Sequence, residues 1–246
     1  MELGLEGRLC VVTGGTRGIG AASARLLAAE GARPLTVARS GADIELDLTG
    51  PDAGQRLLAA CPEPPWALVN NAGMTGTRTL DELTDDDWNE QWQLHVMAAM
   101  HLMKAFAPAM AEAGGGRIVN VSSSSGRRPS QTLDPAYSVT KAAQLSLSRL
   151  FAERWAAKGV LVNAVLPGST DTRMWLDEGG LADQVAGRTG RSREEVLEST
   201  HAKSLTGRMG HEHEIAAVIV FLCSEQASNV VGAAWSVDGG TTQGIF

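Results

Sequence analysis

The chain has 246 residues, a formal net charge of −7 at pH 7 and 43 % hydrophobic residues. This length suits one large α/β domain, and an acidic balance without a Lys/Arg cluster argues against nucleic acid as the main partner. No apolar run approaches the roughly 18 residues of a membrane helix, and no charged-then-apolar leader opens the chain. Cys10, Cys61 and Cys223 lie far apart without CxxC spacing, which predicts reduced thiols in the cytoplasm rather than a disulfide framework or a zinc site.

The first segments predict a strand, a glycine-rich turn and a helix. An apolar run at residues 9–12 ends at residues 13–20, TGGTRGIG, and helix-forming residues follow from 21 to 30. Such a turn lets the backbone approach a phosphate closely and offers it the N–H groups of a helix N-terminus. A merely structural turn is the alternative. The next apolar run, residues 34–38, completes a right-handed β-α-β unit in a parallel sheet.

Two arginines favour NADP over NAD as the bound dinucleotide. A dinucleotide fold usually places an acid at the end of the second strand to bind the ribose hydroxyls, but here the chain reads Val37-Ala38-Arg39-Ser40. Arg39 can pair with a 2′-phosphate, and Arg17 in the glycine turn can do the same. Two solvent-facing arginines without such a role are the alternative.

The middle of the chain continues the strand–helix alternation. A third strand is predicted at residues 44–48, too close to Ser40 for an intervening helix, and Asp47 near its end binds the adenine amine or caps the following turn. A helix at residues 52–60 leads to a strand at 66–69, which ends in Asn70-Asn71-Ala72-Gly73. A capping-box-like start at Thr84 opens a long helix that runs to about residue 112.

Tyr137 and Lys141 are predicted to lie on one face of the next helix. Asp134 and Pro135 are typical of a helix start, as an N-cap carboxylate and a proline at the first helical position. Four residues bring Lys141 back to the face of Tyr137, one turn along. A phenol with a pKa of about 10 is a poor base at neutral pH unless a nearby ammonium stabilises the phenolate. Taken alone, this pair is more often an ordinary surface feature.

The C-terminal third adds two strands and a departure from the alternation. Strands are predicted at residues 160–166 and 233–237, with a last long helix at 215–224. Residues 173–210 are expected to form a substrate lid, in which Met174 and Trp175 line the pocket. His211 and His213 lie two residues apart, which does not match metal-ligand spacing on a helix, so no metal site is predicted.

Seven motifs follow in the order found in short-chain dehydrogenases/reductases, and the chain resembles this family over nearly its whole length. The motifs are TGGTRGIG, DLT, NNAG, the serine run at 122–125, YSVTK, Asn163 with Pro167-Gly168, and WSVDGG. The resemblance implies an α/β, single-domain Rossmann fold over residues 1–246, with a doubly wound seven-stranded parallel sheet. It also implies NADP(H), with NAD(H) less expected, at the carboxyl ends of the strands, and a homo-oligomer, either a tetramer or a dimer.

The resemblance assigns catalytic roles to Ser123, Tyr137, Lys141 and His95. Ser123 would hold the substrate carbonyl, although its spacing to Tyr137 is one residue longer than is common in the family and leaves Ser124 as an alternative. His95 occupies the place of an asparagine that family members use in a proton relay, so we interpret it as a substituted relay member; a packed histidine without a chemical role is the alternative.

The remaining predicted contacts involve the cofactor and the substrate. The cofactor-binding residues are Gly14, Thr16, Arg17, Gly18, Ile19, Gly20, Arg39, Asp47, Leu48, Asn71, Ala72, Gly73, Tyr137, Lys141, Pro167, Gly168, Thr170 and Thr172. The substrate is expected to contact Ser123, Tyr137, Met174 and Trp175.

These assignments predict NADP(H)-dependent interconversion of a small-molecule ketone and a secondary alcohol. The ketone would be a 3-oxoacyl thioester, as in the 3-oxoacyl-ACP reductase-like members, or a small cyclic or aliphatic carbonyl. One alternative is an NAD-dependent hydroxy-acid dehydrogenase of the 3-hydroxybutyrate type. Another, from a different class, is a non-catalytic NADP-binding sensor or a silent subunit.

Overall fold

A seven-stranded parallel sheet forms the centre of the protein, as seen in a computed structural model that describes residues 2–243. The strands are β1 (Leu9–Thr13), β2 (Arg33–Ala38), β3 (Ile44–Glu45), β4 (Ala67–Asn70), β5 (Gly116–Val121), β6 (Val160–Pro167) and β7 (Ala234–Val237). Their order is β3-β2-β1-β4-β5-β6-β7, and every neighbouring pair is parallel. The order reverses between β1 and β4, which places a crevice at the carboxyl ends of these strands. The predicted doubly wound sheet is confirmed.

Helices cover both faces of the sheet. They are α1 (Gly18–Ala29), α2 (Ala53–Ala60), α3 (Asp85–Trp92), α4 (Ala98–Glu112), α5 (Pro135–Trp155), α6 (Arg173–Leu176), α7 (Leu181–Thr189), α8 (Arg193–His201) and α9 (Glu212–Cys223). Alternate residues of each strand point to opposite faces. In β1, Val11 packs with α2 and α4, whereas Cys10 and Val12 pack with α1 and α9. Within residues 2–243, no helix is both long and apolar enough to cross a bilayer.

Two predicted elements differ from those observed. The strand expected at residues 44–48 ends at Glu45, and Asp47 instead accepts hydrogen bonds from the amide and hydroxyl of Thr49 at 2.9 and 2.8 Å. The helix expected to run from Thr84 to about residue 112 begins with the predicted capping box, but a π-helical turn, Gln93–Met97, separates α3 from α4. A π turn of this kind often marks a functional position.

Asp134 precedes α5 as predicted but does not cap it. Its backbone occupies the N-cap position and Pro135 the first turn, yet its side chain makes no bond to the helix N–H groups. The buried carboxylate instead accepts hydrogen bonds from the amide of Arg78 at 2.6 Å and from Nε2 of Gln91 at 2.9 Å. It therefore fixes the start of α5 against α3 and the loop after β4.

Candidate active site

A cleft of about 1440 Å³ runs along the carboxyl ends of the strands, from the glycine turn to the segment after β6. The residues predicted to bind cofactor or substrate line this cleft, with one exception. The exception is Gly20, which lies beneath the glycine turn. His95 also does not line the cleft. The fold thus gathers side chains that the sequence separates by more than 150 positions.

The glycine turn is packed against the loop that follows β4. Gly14 has a φ of +62°, which residues with a side chain rarely adopt. A Cβ atom at Gly20 would lie 2.2 Å from the carbonyl oxygen of Gly14. Nδ2 of Asn71 donates to the carbonyl oxygens of Thr13 and Gly14 at 3.0 and 3.2 Å. Asn71 therefore holds the turn open toward the cleft.

The N-terminus of α1 offers an anion site at this turn. The helix has no side-chain cap and no acid in its first turn, so its free N–H groups and the positive end of its dipole face the cleft. Thr172 lies across from it, because a Cβ built on Gly18 would be 3.6 Å from Cγ2 of Thr172. This pair lies at the glycine turn, where the sequence predicts a bound phosphate.

Two guanidinium groups lie at the end of the cleft beside β2 and the glycine turn. Arg17 and Arg39 both line the cleft and are exposed. Among the residues that the structure describes, neither forms an ion pair or a side-chain hydrogen bond. Asp47 lines the same end, and its bonds with the amide and then the hydroxyl of Thr49 lower the pKa of its carboxyl. Its turn-capping role is thus seen directly.

Ser123 is the serine that contacts Tyr137. Its hydroxyl lies near the phenol and lowers the pKa of Tyr137, and it accepts a hydrogen bond from the amide of Ser125 at 3.1 Å. Burial raises the pKa of Tyr137, and the nearby Ser123 hydroxyl opposes that rise. Ser124 also lines the cleft, but the contact with the phenol favours Ser123 as the carbonyl-binding serine.

Lys141 is buried below Tyr137, one helical turn along α5. Its Nζ lies 5.7 Å from the centroid of the Tyr137 ring and donates to the carbonyl of Val121, at the end of β5, at 2.8 Å. Only 3 % of the residue is exposed, and this burial lowers the pKa of the amine to about 7. The hydroxyl of Ser122 donates to the main-chain carbonyl of Lys141 at 2.9 Å, which ties the helix to the same strand end.

His95 lies in the π turn behind Tyr137, and both of its ring nitrogens have partners. Nε2 accepts a hydrogen bond from the amide of Met74 at 3.0 Å. Nδ1 lies 2.9 Å from the hydroxyl of Thr140, which itself donates to the carbonyl of Ala136. These bonds require a neutral ring with its proton on Nδ1.

The surroundings of His95 do not favour the relay predicted from its place in the chain. Burial, and then the charge of Lys141, hold the pKa of the ring well below its ordinary value. The ring meets Tyr137 edge to face, with centroids 5.6 Å apart. A neutral ring with two fixed partners positions its neighbours more readily than it passes a proton.

The segment 173–210 contains α6, α7 and α8 and lies against the open side of the cleft. Met174 and Trp175 in α6 line the cleft, and Met174 is 44 % exposed. The guanidinium of Arg188 in α7 donates to the carbonyl oxygens of Thr77 and Thr132, which belong to loops after β4 and before α5. The segment is thereby fastened to both of these loops.

The two ends of this segment meet beside β6. Thr170 and Gly210 form a parallel bridge, and Nδ1 of His211 pairs with the carboxylate of Asp171. His211 also provides the N-cap of α9, which begins at Glu212 rather than at the predicted residue 215. No group of three or more His, Cys, Asp or Glu side chains within residues 2–243 is placed to hold a metal ion.

Several lining residues were not predicted from the sequence. They belong to α3 and its π turn, the loop before α5 and the segment after α8, and include Glu90, Leu94, Arg128, Gln131, Leu133 and Lys203. The loop at 127–133 was detectable in principle, because it joins two predicted catalytic residues. The others give no signal in the sequence, since only the tertiary fold brings them to the cleft.

Comparisons with known proteins place this chain in a family. A family model described as Enoyl-(Acyl carrier protein) reductase matches residues 14–242. Galactitol 2-dehydrogenase (L-tagatose-forming) of Cereibacter sphaeroides is 34 % identical over 261 residues, which cover 97 % of this chain and 96 % of the relative. For 3-oxoacyl-(acyl-carrier-protein) reductase FabG of Vibrio cholerae, the identity is 30 % over 255 residues, which cover 97 % of this chain and 98 % of the relative. L-Sorbose reductase of Gluconobacter frateurii, solved with NADPH and L-sorbose, has a TM-score of 0.89 and 30 % identity over the full length of both chains.

Replacing Lys141 by Met should change how stability depends on pH. Folding lowers the pKa of this amine from 10.5 to about 7, so the unfolded chain binds more protons between those values. The free energy of unfolding of the ligand-free wild type should therefore rise across pH 7–10, by up to about 1.4 kcal/mol per pH unit from this group. Lys141→Met has no titrating amine and therefore lacks this rise in the free energy of unfolding. Its stability relative to the wild type should be greatest near pH 7 and decline toward pH 10.

Urea unfolding of both proteins across this pH range measures the difference. Lys104→Met, at an exposed lysine of α4, is the control and should follow the wild type. A difference between Lys141→Met and the wild type that does not vary with pH would contradict the burial of a titrating amine.

Proposed function

The chain belongs to the short-chain dehydrogenase/reductase family of oxidoreductases, and we propose that it uses NADP(H) to interconvert a ketone and a secondary alcohol. The observation that carries this proposal is the meeting of Ser123, Tyr137 and Lys141 at one end of a cleft of dinucleotide size. The phenol has the Ser123 hydroxyl beside it and a buried amine below it. This is the arrangement that acid–base chemistry at a carbonyl oxygen requires.

The residues along the cleft fit a dinucleotide with a 2′-phosphate. The uncapped N-terminus of α1 and Thr172 would hold the pyrophosphate. Arg17 and Arg39 would bind the 2′-phosphate, since guanidinium groups pair with phosphate oxygens and no carboxylate ends β2. When bound, NADPH supplies a hydride from its nicotinamide C4 to the carbonyl carbon of the substrate.

The protein's own groups would then bind the carbonyl oxygen and supply its proton. The hydroxyl of Ser123 donates a hydrogen bond to the carbonyl oxygen, which orients and polarises it. Tyr137 donates its phenolic proton to the oxygen as negative charge develops there. The ammonium of Lys141 stabilises the phenolate that remains and bonds the nicotinamide ribose. In alcohol oxidation the same groups act in reverse.

His95 has a supporting place in this proposal. Its ring bonds Met74, at the cleft wall, and Thr140, on α5 beside Tyr137. It would hold the phenol-bearing helix at a fixed distance from the loop after β4. The relay role expected from the sequence would need a ring nitrogen that is free to bond a water, whereas both ring nitrogens bond protein groups.

The polar character of the substrate end supports a hydroxylated ketone. Gln131, Thr132 and Thr200 line the cleft together with apolar Leu94 and Trp175, so the wall offers hydrogen bonds on one part and apolar contact on another. L-Sorbose reductase and galactitol 2-dehydrogenase act on substrates of this kind by name, and FabG is the relative that supports a 3-oxoacyl thioester. We place the hydroxylated ketone first.

The alternatives have less support. An NAD-dependent 3-hydroxybutyrate-type enzyme is disfavoured by Arg39, and a sensor or silent subunit by the assembled Ser123, Tyr137 and Lys141. The organisation as one domain with a substrate lid at 173–210, a homo-oligomer and a cytoplasmic location stay predictions.

Removing the phenol should abolish turnover without abolishing cofactor binding. We expect Tyr137→Phe to lower kcat by about 10³-fold or more, because the proton donor is lost, while the Kd for NADPH changes only a few-fold. Ser123→Ala should lower kcat by about 10²-fold, as expected for one oxyanion-type donor, and Ser124→Ala should stay within a few-fold of the wild type.

The measurement is NADPH oxidation with ketoses, small cyclic ketones and 3-oxoacyl thioesters, together with NADPH binding followed by fluorescence. Tight NADPH binding by the wild type with no oxidation in the presence of any ketone would favour the sensor. A larger loss from Ser124→Ala than from Ser123→Ala would reverse the assignment of the two serines.

Removing the guanidinium after β2 should reduce the preference for NADP. A charge-assisted phosphate contact contributes about 1.5–3 kcal/mol, so Arg39→Ala should lower the ratio of kcat/KM with NADPH to kcat/KM with NADH by roughly 10- to 100-fold. Arg56→Ala, at an exposed arginine of α2 outside the cleft, is the control. An unchanged ratio for Arg39→Ala would refute the assignment.

A further inference from the structure

The amine of Lys141 has one acceptor that comes from a side chain. Its Nζ donates to the carbonyl of Val121 at 2.8 Å and to Oε1 of Gln144 at 3.3 Å. No ion pair within residues 2–243 includes Lys141. The titratable groups that face it are Tyr137 on α5 and the neutral His95 on the π turn. Charge on the amine is therefore balanced by two neutral oxygen atoms and by no carboxylate.

Gln144 lies one turn after Lys141 on α5, and both residues face the sheet. Gln144 is 2 % exposed, so its amide is excluded from water. Its main-chain carbonyl accepts from the hydroxyl of Ser148 at 2.7 Å, and that hydroxyl accepts from Nδ2 of Asn120 on β5 at 2.8 Å. A stripe of polar groups thus occupies a contact between α5 and β5 that apolar side chains could fill.

A buried amide in this position calls for a reason beyond packing. Burying a carboxamide is unfavourable unless its oxygen and nitrogen have partners. The Gln144 oxygen accepts from the buried amine of Lys141, and an accepted hydrogen bond favours the charged form of the donor. An apolar residue of similar size would fill the space and leave the ammonium with the Val121 carbonyl alone.

We propose that Gln144 is a positioning residue that keeps Lys141 charged and directed toward the cleft, so that the ammonium acts on Tyr137 and on the bound cofactor. This inference rests on the proposed NADP(H)-dependent function. It assigns to Gln144 an effect on the proton equilibrium of the site, exerted through Lys141, and no contact with the substrate.

Two substitutions should move the pH dependence in opposite directions. Gln144→Met keeps an unbranched side chain but removes the acceptor, so the alkaline limb of kcat/KM for ketone reduction should move to lower pH by about one unit. Gln144→Glu places a carboxylate at the same position, so that limb should move to higher pH. The limb belongs to the coupled Tyr137 and Lys141 groups and is compared between variants as a whole.

Ser148→Ala is the matched control. It removes a hydroxyl from the same buried stripe without contacting the amine, so it should lower stability while the alkaline limb stays at the wild-type pH. Thermal unfolding of each variant separates loss of fold from a shift in the limb.

The experiment measures kcat/KM with NADPH and a ketone between pH 6 and 10, and the Kd for NADPH over the same range. Opposite shifts for Gln144→Met and Gln144→Glu support the proposal. If the alkaline limb of both variants stays at the wild-type pH, or if both limbs shift in the same direction, the proposal is overturned. If the wild type binds NADPH but shows no turnover, the proposed function fails. The role of Gln144 is then decided by the pH at which NADPH binding weakens: opposite shifts of this pH in Gln144→Met and Gln144→Glu support it, and unchanged values or shifts in one direction overturn it.

Discussion

The burial of the Lys141 amine at the carboxyl end of β5 is the constraint on which the site depends. An ammonium is unfavourable in a protein interior unless oxygen acceptors surround it, and the carbonyl of Val121 accepts at 2.8 Å. The same strand end continues into Ser122, which bonds the main chain of Lys141, and into Gly126, where a Cβ would lie 2.9 Å from that main chain. One strand end therefore fixes both the amine and the helix that carries Tyr137.

The opposite wall of the site is fixed through the segment 74–78, which follows the NNAG loop. His95 accepts from the first amide of this segment, Asp134 accepts from the last, and Arg188 donates to a carbonyl between them. The three residues come from the π turn, the start of α5 and α7. The segment is thereby tied to the phenol-bearing helix and to α7.

The sheet, the cofactor turn and the catalytic pair were predictable from sequence because their signals are local. Apolar runs predict the strands, glycine spacing predicts the turn, and a tyrosine and a lysine four residues apart predict a shared helix face. The rest depends on partners distant in the chain. Asp134 has the residue type and the following proline of an N-cap, yet Arg78 and Gln91 compete successfully for its carboxylate. The family resemblance singles out His95, but only the fold shows that it lies in a π turn, that both ring nitrogens have partners and that the ring is held neutral.

The central claim is that Tyr137, Ser123 and Lys141 assemble a site for hydride transfer between NADPH and a ketone. The most direct test is a single turnover with NADPH deuterated at one C4 position at a time, with mass spectrometry of the product alcohol. The account predicts that one epimer delivers its deuterium to the carbonyl carbon and that the other does not. Alcohol that forms without deuterium from either epimer, or bound NADPH that yields no alcohol with any ketone, would contradict it.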